Sequence, residues 1–122
     1  MGDYSYSFEK LDVWQESRKL VKIVYELISK FPDVERFGLC NQIRRAVISI
    51  PSNIAEGSGK KSNKEQVHFL EIAYGSLMEV YCQIILSKDL EFLSEEQFRI
   101  VKQQIDIVAK LLSGLKNYKE TH

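Results

Sequence analysis

The sequence has few of the residues that break a chain or cross-link it. Two prolines and six glycines in 122 residues leave little material for turns, so a small number of long elements is expected. The only cysteines, Cys40 and Cys82, form no CxxC pair, which favours reduced thiols in a cytoplasmic protein over a disulfide framework. No uninterrupted apolar run approaches the roughly 18 residues of a membrane span, and no leader pattern opens the chain, so no membrane contact is expected.

Neither sign of charge is in excess over the whole chain. There are 17 basic and 17 acidic residues, and such a balance argues against the strongly basic class of nucleic-acid-binding proteins. The balance is not local, however. Residues 36–64 hold six basic residues and one acidic residue (+5), and residues 65–97 hold one basic and seven acidic residues (−6). A positive stretch is therefore followed by a negative one.

Apolar residues recur at spacings of three and four in four segments, which is typical of amphipathic helices. The predicted helices cover residues 12–30, 39–56, 63–90 and 94–118. Short connections between long helices force neighbours to run antiparallel. The sequence therefore predicts an all-α protein, an antiparallel up-down four-helix bundle over residues 12–118, with tails at residues 1–11 and 119–122.

Local signals mark the ends and contacts of the third and fourth helices. Ser62 with Glu65 and Ser94 with Gln97 have the spacing of capping boxes, which predicts that helices begin there. Gly75 lies inside the third helix, where it costs about 1 kcal/mol relative to alanine. We expect a close contact between helices at Gly75 to explain that cost.

The second predicted helix contains a proline. Its apolar residues keep helical phase across Pro51, at Leu39, Ile43, Val47, Ile50 and Ile54. An interior proline costs about 3 kcal/mol because it removes a donor and clashes with the carbonyl four residues earlier. The preserved phase favours one helix that is kinked at Pro51 and capped by Gly57. The alternative is a break, with a new helix starting at Pro51.

Two motifs suggest chemistry but lack parts that the chemistry requires. "GSGKKS" resembles a nucleotide-binding P-loop, yet Ile54 replaces its first glycine, Lys61 replaces its hydroxyl residue, and a helix precedes it instead of a strand. Glu65 and His68 have the spacing of a di-iron ligand pair, but the only other histidine is His122. No nucleophile is paired with a base by spacing. We therefore expect no enzyme, cofactor, metal site or small-molecule substrate, and we expect His68 at the surface.

A group of basic residues is the main candidate site: Arg44, Arg45, Lys60, Lys61 and Lys64. These side chains have the chemistry to contact the phosphates of RNA. A second interpretation pairs the arginines with Glu71 or Glu79 on the third helix. In a third, the positive surface of one subunit meets the negative surface of the next, a head-to-tail contact that closes into a ring. Pairing within the fold and contact between subunits are both favoured over RNA binding.

Three blocks of sequence resemble a known family: "FEKLDVWQESRKLVKIVYELISKFP", "ERFGLCNQIRRAVISIPSNIAEGSGKKS" and "HFLEIAYGSLMEV". Together they look like the bacterial four-helix bundle proteins known as 23S ribosomal RNA intervening-sequence proteins, over nearly the whole chain. The most specific block carries Gln42, Arg44, Arg45, Ser49, Pro51, Asn53, Ala55, Glu56 and Gly57.

The resemblance implies a left-handed antiparallel bundle that assembles into a homopentamer with a central channel. It also implies an undefined cellular role. Some family members are encoded within insertions in ribosomal RNA genes, which suggests an association with RNA or the ribosome. The small polar residues around the proline suit a contact with a neighbouring subunit, so the predicted assembly surface is Ser49, Pro51, Ser52, Asn53 and Glu56. The favoured function is an oligomeric scaffold or adaptor, with RNA binding as the alternative.

Overall fold

Four long helices make up most of the protein. The structure is a computed structural model that describes residues 4–122. Its α-helices are α1 (Asp12–Ile28), α2 (Leu39–Ser58), α3 (Asn63–Asp89) and α4 (Glu95–Thr121). Short 3₁₀ turns cover Ser7–Lys10 and Asp33–Glu35, and no strand occurs in the described part of the chain. The prediction of an all-α protein with four helices is confirmed.

Each helix packs against two of the other three. Helix α1 packs beside α2 and α4, and α3 also packs beside α2 and α4, whereas within residues 4–122 no Cα atoms of the two diagonal pairs lie within 8 Å of each other. The buried faces converge on one continuous aliphatic core that includes Leu20, Ile43, Leu77 and Ile105. This arrangement is that of a four-helix bundle.

The contacts between α2 and α3 pair residues early in α2 with residues late in α3, and residues late in α2 with residues early in α3. They join Gln42 with Gln83, Ser49 with Ser76, and Gly57 with Phe69. The early part of α2 therefore lies beside the late part of α3. The segment around Pro51 lies at the level of the first half of α3.

Helix α2 continues through its proline. Pro51 lies inside Leu39–Ser58, with Val47, Ile50 and Ile54 all buried. The prediction of a single helix is confirmed, and the alternative of a break at Pro51 is wrong. The predicted cap is also wrong, because α2 runs through Gly57 and its C-cap is Gly59.

Gly57, and not Gly75, lies at a close approach between two helices. A Cβ atom on Gly57 would lie 2.8 Å from the Cβ atom of Phe69 on α3. A Cβ atom on Gly75 would meet nothing within 4 Å. The predicted close contact at Gly75 is therefore wrong, and the glycine predicted to end α2 makes that contact instead.

The predicted helix starts are present with one change. The Ser94 hydroxyl accepts a bond from the Gln97 backbone N–H, and the Gln97 side chain accepts one from the Ser94 backbone N–H, as in a complete capping box. The Ser62 hydroxyl likewise accepts from the Glu65 N–H. The Glu65 carboxylate, however, accepts a bond from the Ser62 hydroxyl, so the second half of that box differs.

Both predicted tails contain helical residues. Helix α4 runs three residues past the predicted end at residue 118, to Thr121. At the other end, Ser7–Lys10 contacts α1 and α2. Residues 1–3 of the predicted N-terminal tail lie outside the described residues. The division of the chain into tails and one domain stays a prediction.

Helix α3 is unusually apolar for a bundle helix. Its length and composition would allow it to cross a membrane, but core helices of soluble proteins also have such a length and composition. The expectation based on uninterrupted apolar runs overlooked this composition. In the bundle, α3 buries Leu70, Ala73, Leu77, Val80 and Ile84. Other apolar residues of α3 are exposed, among them Ile72, Met78, Ile85 and Leu86.

Candidate functional site

The five predicted basic residues do not form one cluster. Arg44 and Arg45 lie in the first half of α2, whereas Lys60, Lys61 and Lys64 lie beyond its C-terminal end and at the start of α3. With a rise of 1.5 Å per residue, the two groups are about 20 Å apart along the bundle. The folded chain therefore has two separate basic sites, at different levels.

The arginines do not pair with the predicted acids. An Arg44 guanidinium nitrogen donates to the backbone carbonyl of Arg36 at 2.9 Å. The Glu71 carboxylate instead pairs with the Lys116 ammonium at 3.3 Å, across α3 and α4. Glu79 accepts a bond from a side chain of its own helix. The interpretation that pairs Arg44 and Arg45 with Glu71 or Glu79 is wrong.

The lysines surround the N-terminus of α3. The Lys60 ammonium lies 5.2 Å from the centroid of the Phe69 ring, and the Lys60 carbonyl accepts a bond from Gln66 at 2.7 Å. Lys61 and Lys64 are exposed. Lys60 thus packs on the connection between α2 and α3, whereas Lys61 and Lys64 are exposed to solvent.

The predicted assembly surface is divided between different sides of α2. The Ser49 hydroxyl contacts the Ser76 hydroxyl on α3 at 2.5 Å, and the Asn53 amide donates to the Ser49 carbonyl at 2.8 Å. These two residues therefore belong to the contact between α2 and α3. Ser52 and Glu56 are exposed, so they remain candidates for contact with a partner.

A second polar contact between α2 and α3 lies near Gln83, which is 7% exposed. The Gln83 amide nitrogen donates to Glu79 at 3.3 Å and to Gln42 at 3.5 Å, while its amide oxygen has no partner within the described residues. Such buried polar contacts favour one register of two helices because any slip would leave their atoms unpaired. Together with Ser49 and Ser76, they fix how α2 and α3 align.

Pro51 lies in an open groove between α1 and α2. The groove has a volume of about 440 Å³ and is lined mainly by apolar side chains, which include Trp14, Val21, Ile48, Pro51 and Ala55. Ser52 also lines it, and the Arg18 guanidinium lies at its side, 5.0 Å from the Trp14 ring centroid. We call this surface the α1–α2 groove. It contains two of the residues predicted to contact a neighbouring subunit.

The outer side of α3 carries an apolar surface that the sequence interpretation did not identify. Its members are exposed: Ile72 (38%), Met78 (37%), Ile85 (37%) and Leu86 (48%), with Cys82 among them. We call these five residues the α3 stripe. The signal was present in the sequence, because these residues fall outside the Leu70–Leu77–Ile84 seam in a helix with few charges. Exposed apolar residues grouped on one side of a helix are typical of interaction sites.

The two cysteines differ in surroundings. Cys40 is buried, its thiol contacts the Ile28 carbonyl at 3.7 Å, and burial raises the pKa of that thiol. Cys82 is exposed on the α3 stripe. His68 is exposed beside Phe69, as predicted. Within residues 4–122 no group of three or more His, Cys, Asp or Glu side chains is placed to hold a metal ion.

Comparisons with known proteins agree with the helical architecture. Residues 9–114 match the family described as 23S rRNA-intervening sequence protein. A solved crystal structure of a protein with unknown function from the S23 ribosomal protein family of Bacteroides thetaiotaomicron is similar, with a TM-score of 0.75 and 25% identity. The similarity covers 85% of this chain and 97% of that one. No curated protein matches the chain. Neither description names an enzymatic activity.

Proposed function

The chain belongs to the 23S rRNA-intervening sequence protein family, and from that premise we propose that it is a non-enzymatic, self-assembling protein of the cytoplasm that acts as an oligomeric scaffold or adaptor. The observation that carries this proposal is the α3 stripe. A monomer would leave these apolar side chains in water. A second copy of the chain would cover them.

We further propose that the bundle is antiparallel, with α2 kinked at Pro51. The opposite order of contacts between α2 and α3 supports the first part, as do contacts of Lys88 with Glu95 and of Glu71 with Lys116 between α3 and α4. The position of Pro51 inside a continuous helix supports the second, because an interior proline displaces the carbonyl four residues earlier.

The α3 stripe has the chemistry of a subunit contact. Aliphatic side chains and a methionine dominate it, and Glu79 is the charged residue on the line between Ile72 and Leu86, one heptad from each. Fully burying an exposed aliphatic side chain contributes about 1.5–3 kcal/mol. These side chains are already half-covered, so each should contribute roughly half of that. Several of them together would support a stable oligomer.

The resemblance to the family suggests five subunits. We expect purified protein to sediment or elute with a mass of several 14.2 kDa chains, and of five if the homopentamer holds. Size-exclusion chromatography with multi-angle light scattering measures this directly. A wild-type protein that stays at the mass of one chain at high concentration would overturn the proposal.

A substitution on the α3 stripe tests which surface is responsible. The Ile72→Lys/Leu86→Lys variant should dissociate, with association weakened at least about tenfold, because charges would have to be buried. Both positions are half-exposed, so the helical circular dichroism should stay unchanged. The matched control is Phe37→Ser, which removes an apolar side chain that is 84% exposed but lies outside the stripe.

Thiol labelling gives a measurement that needs no variant. Cys82 lies on the stripe and Cys40 is buried, so one thiol per chain should react in the folded monomer. If copies cover the stripe, labelling of Cys82 should slow as protein concentration rises. A labelling rate independent of concentration, in a sample that light scattering shows to be oligomeric, would place the contact elsewhere.

The alternative is an RNA- or ribosome-associated protein, and one feature favours it. Lys60, Lys61 and Lys64 surround the N-terminus of α3, where the helix dipole also favours anions. The distance between these lysines and the pair Arg44 and Arg45 argues against the RNA-binding alternative, since one phosphate backbone would have to span both groups. If RNA binds, its affinity should fall steeply with salt, and light scattering with absorbance at 260 nm would reveal nucleic acid that co-purifies.

A further inference from the structure

Two apolar surfaces of this chain face different directions: the α3 stripe lies on the outer side of α3, and the open α1–α2 groove lies between α1 and α2. We propose that the α3 stripe of one copy packs into the α1–α2 groove of the next copy. The contact is then heterologous, because different surfaces meet, and each copy contacts two neighbours. This inference rests on the proposed self-assembly and specifies its geometry.

The groove offers a stripe the environment that apolar side chains require. Trp14, Val21, Ile48, Pro51 and Ala55 line it, and Ile48 remains 43% exposed within the single chain. The Trp14 ring and the proline ring are rigid, so ordering them costs little conformational entropy. Aromatic side chains in such pockets carry much of the binding energy in protein interfaces. Unbranched Met78 adapts its shape to an irregular groove.

Charge favours this pairing over contact of two stripes. Glu79 lies between Ile72 and Leu86, so two stripes packed together would bring like charges close. The groove instead carries Arg18 at its side, and Arg45 lies exposed one turn from Ile48 on α2. Glu79 beside the stripe and Arg18 beside the groove make the two surfaces electrostatically complementary.

The positions of the two surfaces allow copies to lie side by side. Contacts of Ser49 with Ser76 and of Gly57 with Phe69 place the α2 wall of the groove beside the first half of α3. The stripe begins at that level, with Ile72. The groove opens on the side formed by α1 and α2, and the stripe faces outward from α3. One copy can therefore present its stripe to one neighbour and its groove to another.

Mixing two broken variants tests the polarity of the contact. Leu86→Lys damages the stripe and leaves the groove intact, whereas Ile48→Lys damages the groove and leaves the stripe intact. Each variant alone should have a reduced mass. Mixed in equal amounts, they should form a 1:1 dimer of two 14.2 kDa chains through the one intact stripe and the one intact groove. Light scattering and native mass spectrometry, with one variant isotopically labelled, measure this.

Each outcome supports or overturns the inference. If Ile48→Lys keeps the full mass of the wild type, then the groove is not part of the contact and either two stripes meet or another protein occupies the groove. If both variants lose mass but their mixture gives no dimer, the contact is not between stripe and groove. Phe37→Ser controls for loss of exposed apolar surface, and unchanged circular dichroism shows that each variant is folded. A monomeric wild type would overturn the proposed function itself, so the two failures are distinguishable.

Discussion

At Gly57, the backbone of α2 comes so close to α3 that the absence of a side chain determines the distance between the helices. A Cβ atom there would lie 2.8 Å from the Phe69 Cβ and 3.5 Å from the Gln66 carbonyl oxygen. Both atoms belong to the ordered first turns of α3 and cannot move without displacing it. The glycine thus serves packing inside a helix, although glycine disfavours helix by about 1 kcal/mol.

We predict that Gly57→Ala destabilises the protein by about 1–3 kcal/mol because the extra methyl group must push α2 and α3 apart. Chemical denaturation followed by circular dichroism measures the change. The control is Gly114→Ala in α4, where a Cβ atom meets nothing within 4 Å and helix propensity alone should raise stability by up to about 1 kcal/mol. Equal effects of the two substitutions would contradict the close contact.

A second residue-scale feature is the carboxylate of Glu16, which links α1 to α4. Bonds from the Lys19 ammonium, and then from the Gln104 amide, lower the pKa of Glu16 below the ordinary carboxyl value. A carboxyl group with a lowered folded-state pKa stabilises the protein above its unfolded pKa. That contribution is lost as pH falls through the folded-state pKa.

We predict that Glu16→Gln lowers the free energy of unfolding at pH 7 by roughly 0.2–1 kcal/mol, the range for solvent-exposed ion pairs. The difference from wild type should shrink as the pH is lowered from 7 to 2, because the Glu16 carboxyl group takes up a proton as the pH falls through its lowered pKa. Urea denaturation at the two pH values measures it, with Glu120→Gln at the exposed end of α4 as the control. A difference that persists at the lower pH would show that the carboxylate charge is not responsible.

At the scale of the element, the end of α3 has a bonding pattern that is usually built around glycine. The Phe92 N–H donates to the Ser87 carbonyl and the Glu91 N–H to the Lys88 carbonyl, which together make a Schellman motif. Glu91 has a φ of 65°, in the left-handed region. A side chain there costs roughly 1–2 kcal/mol.

We predict that Glu91→Gly raises the free energy of unfolding by about 1 kcal/mol because glycine adopts this conformation without the steric cost. Thermal and urea denaturation measure the gain. Glu95→Gly provides a contrast, since position 95 is the first residue of α4 and glycine there should not stabilise. A loss of stability in Glu91→Gly would indicate that the glutamate side chain makes a contact that outweighs the strain.

Helix α2 is the element whose prediction required the most inference. The phase of its apolar residues correctly predicted one helix through Pro51, because only a continuous helix keeps Val47 and Ile54 on one face.

We predict that Pro51→Ala stabilises the isolated chain by up to about 3 kcal/mol, since it restores an N–H donor to the Val47 carbonyl. If α2 is straight and unstrained at this point, denaturation will show no gain. Ala55→Gly, one turn later in the same groove, should be destabilising and serves as the opposite control.

At the scale of the whole molecule, the sequence predicted the architecture better than the site. Helical periodicity and capping boxes depend on neighbours a few residues away, so the four helices and the starts of α3 and α4 could be predicted from the sequence. The basic residues are close in sequence, from Arg44 to Lys64, yet α2 is a rigid rod that separates them by about 20 Å. The direction of Ser49 and Asn53 also depended on the rotation of α2 relative to α3, which no local pattern gives. The α3 stripe, in contrast, could have been predicted, because its residues fall outside the Leu70–Leu77–Ile84 seam of a helix with few charges.

The basic residues at one end of the bundle lie apart from the proposed subunit contact. Lys60 and Lys61 lie at the connection between α2 and α3, outside both the α3 stripe and the α1–α2 groove. We predict that Lys60→Glu/Lys61→Glu leaves the mass of the assembly unchanged, whereas Arg18→Glu, a single reversal beside the groove, lowers it. Light scattering at low and at moderate salt measures both variants. A loss of mass in the lysine variant would place the subunit contact at the end of the bundle, where the acidic residues of a neighbouring α3 would have to reach it.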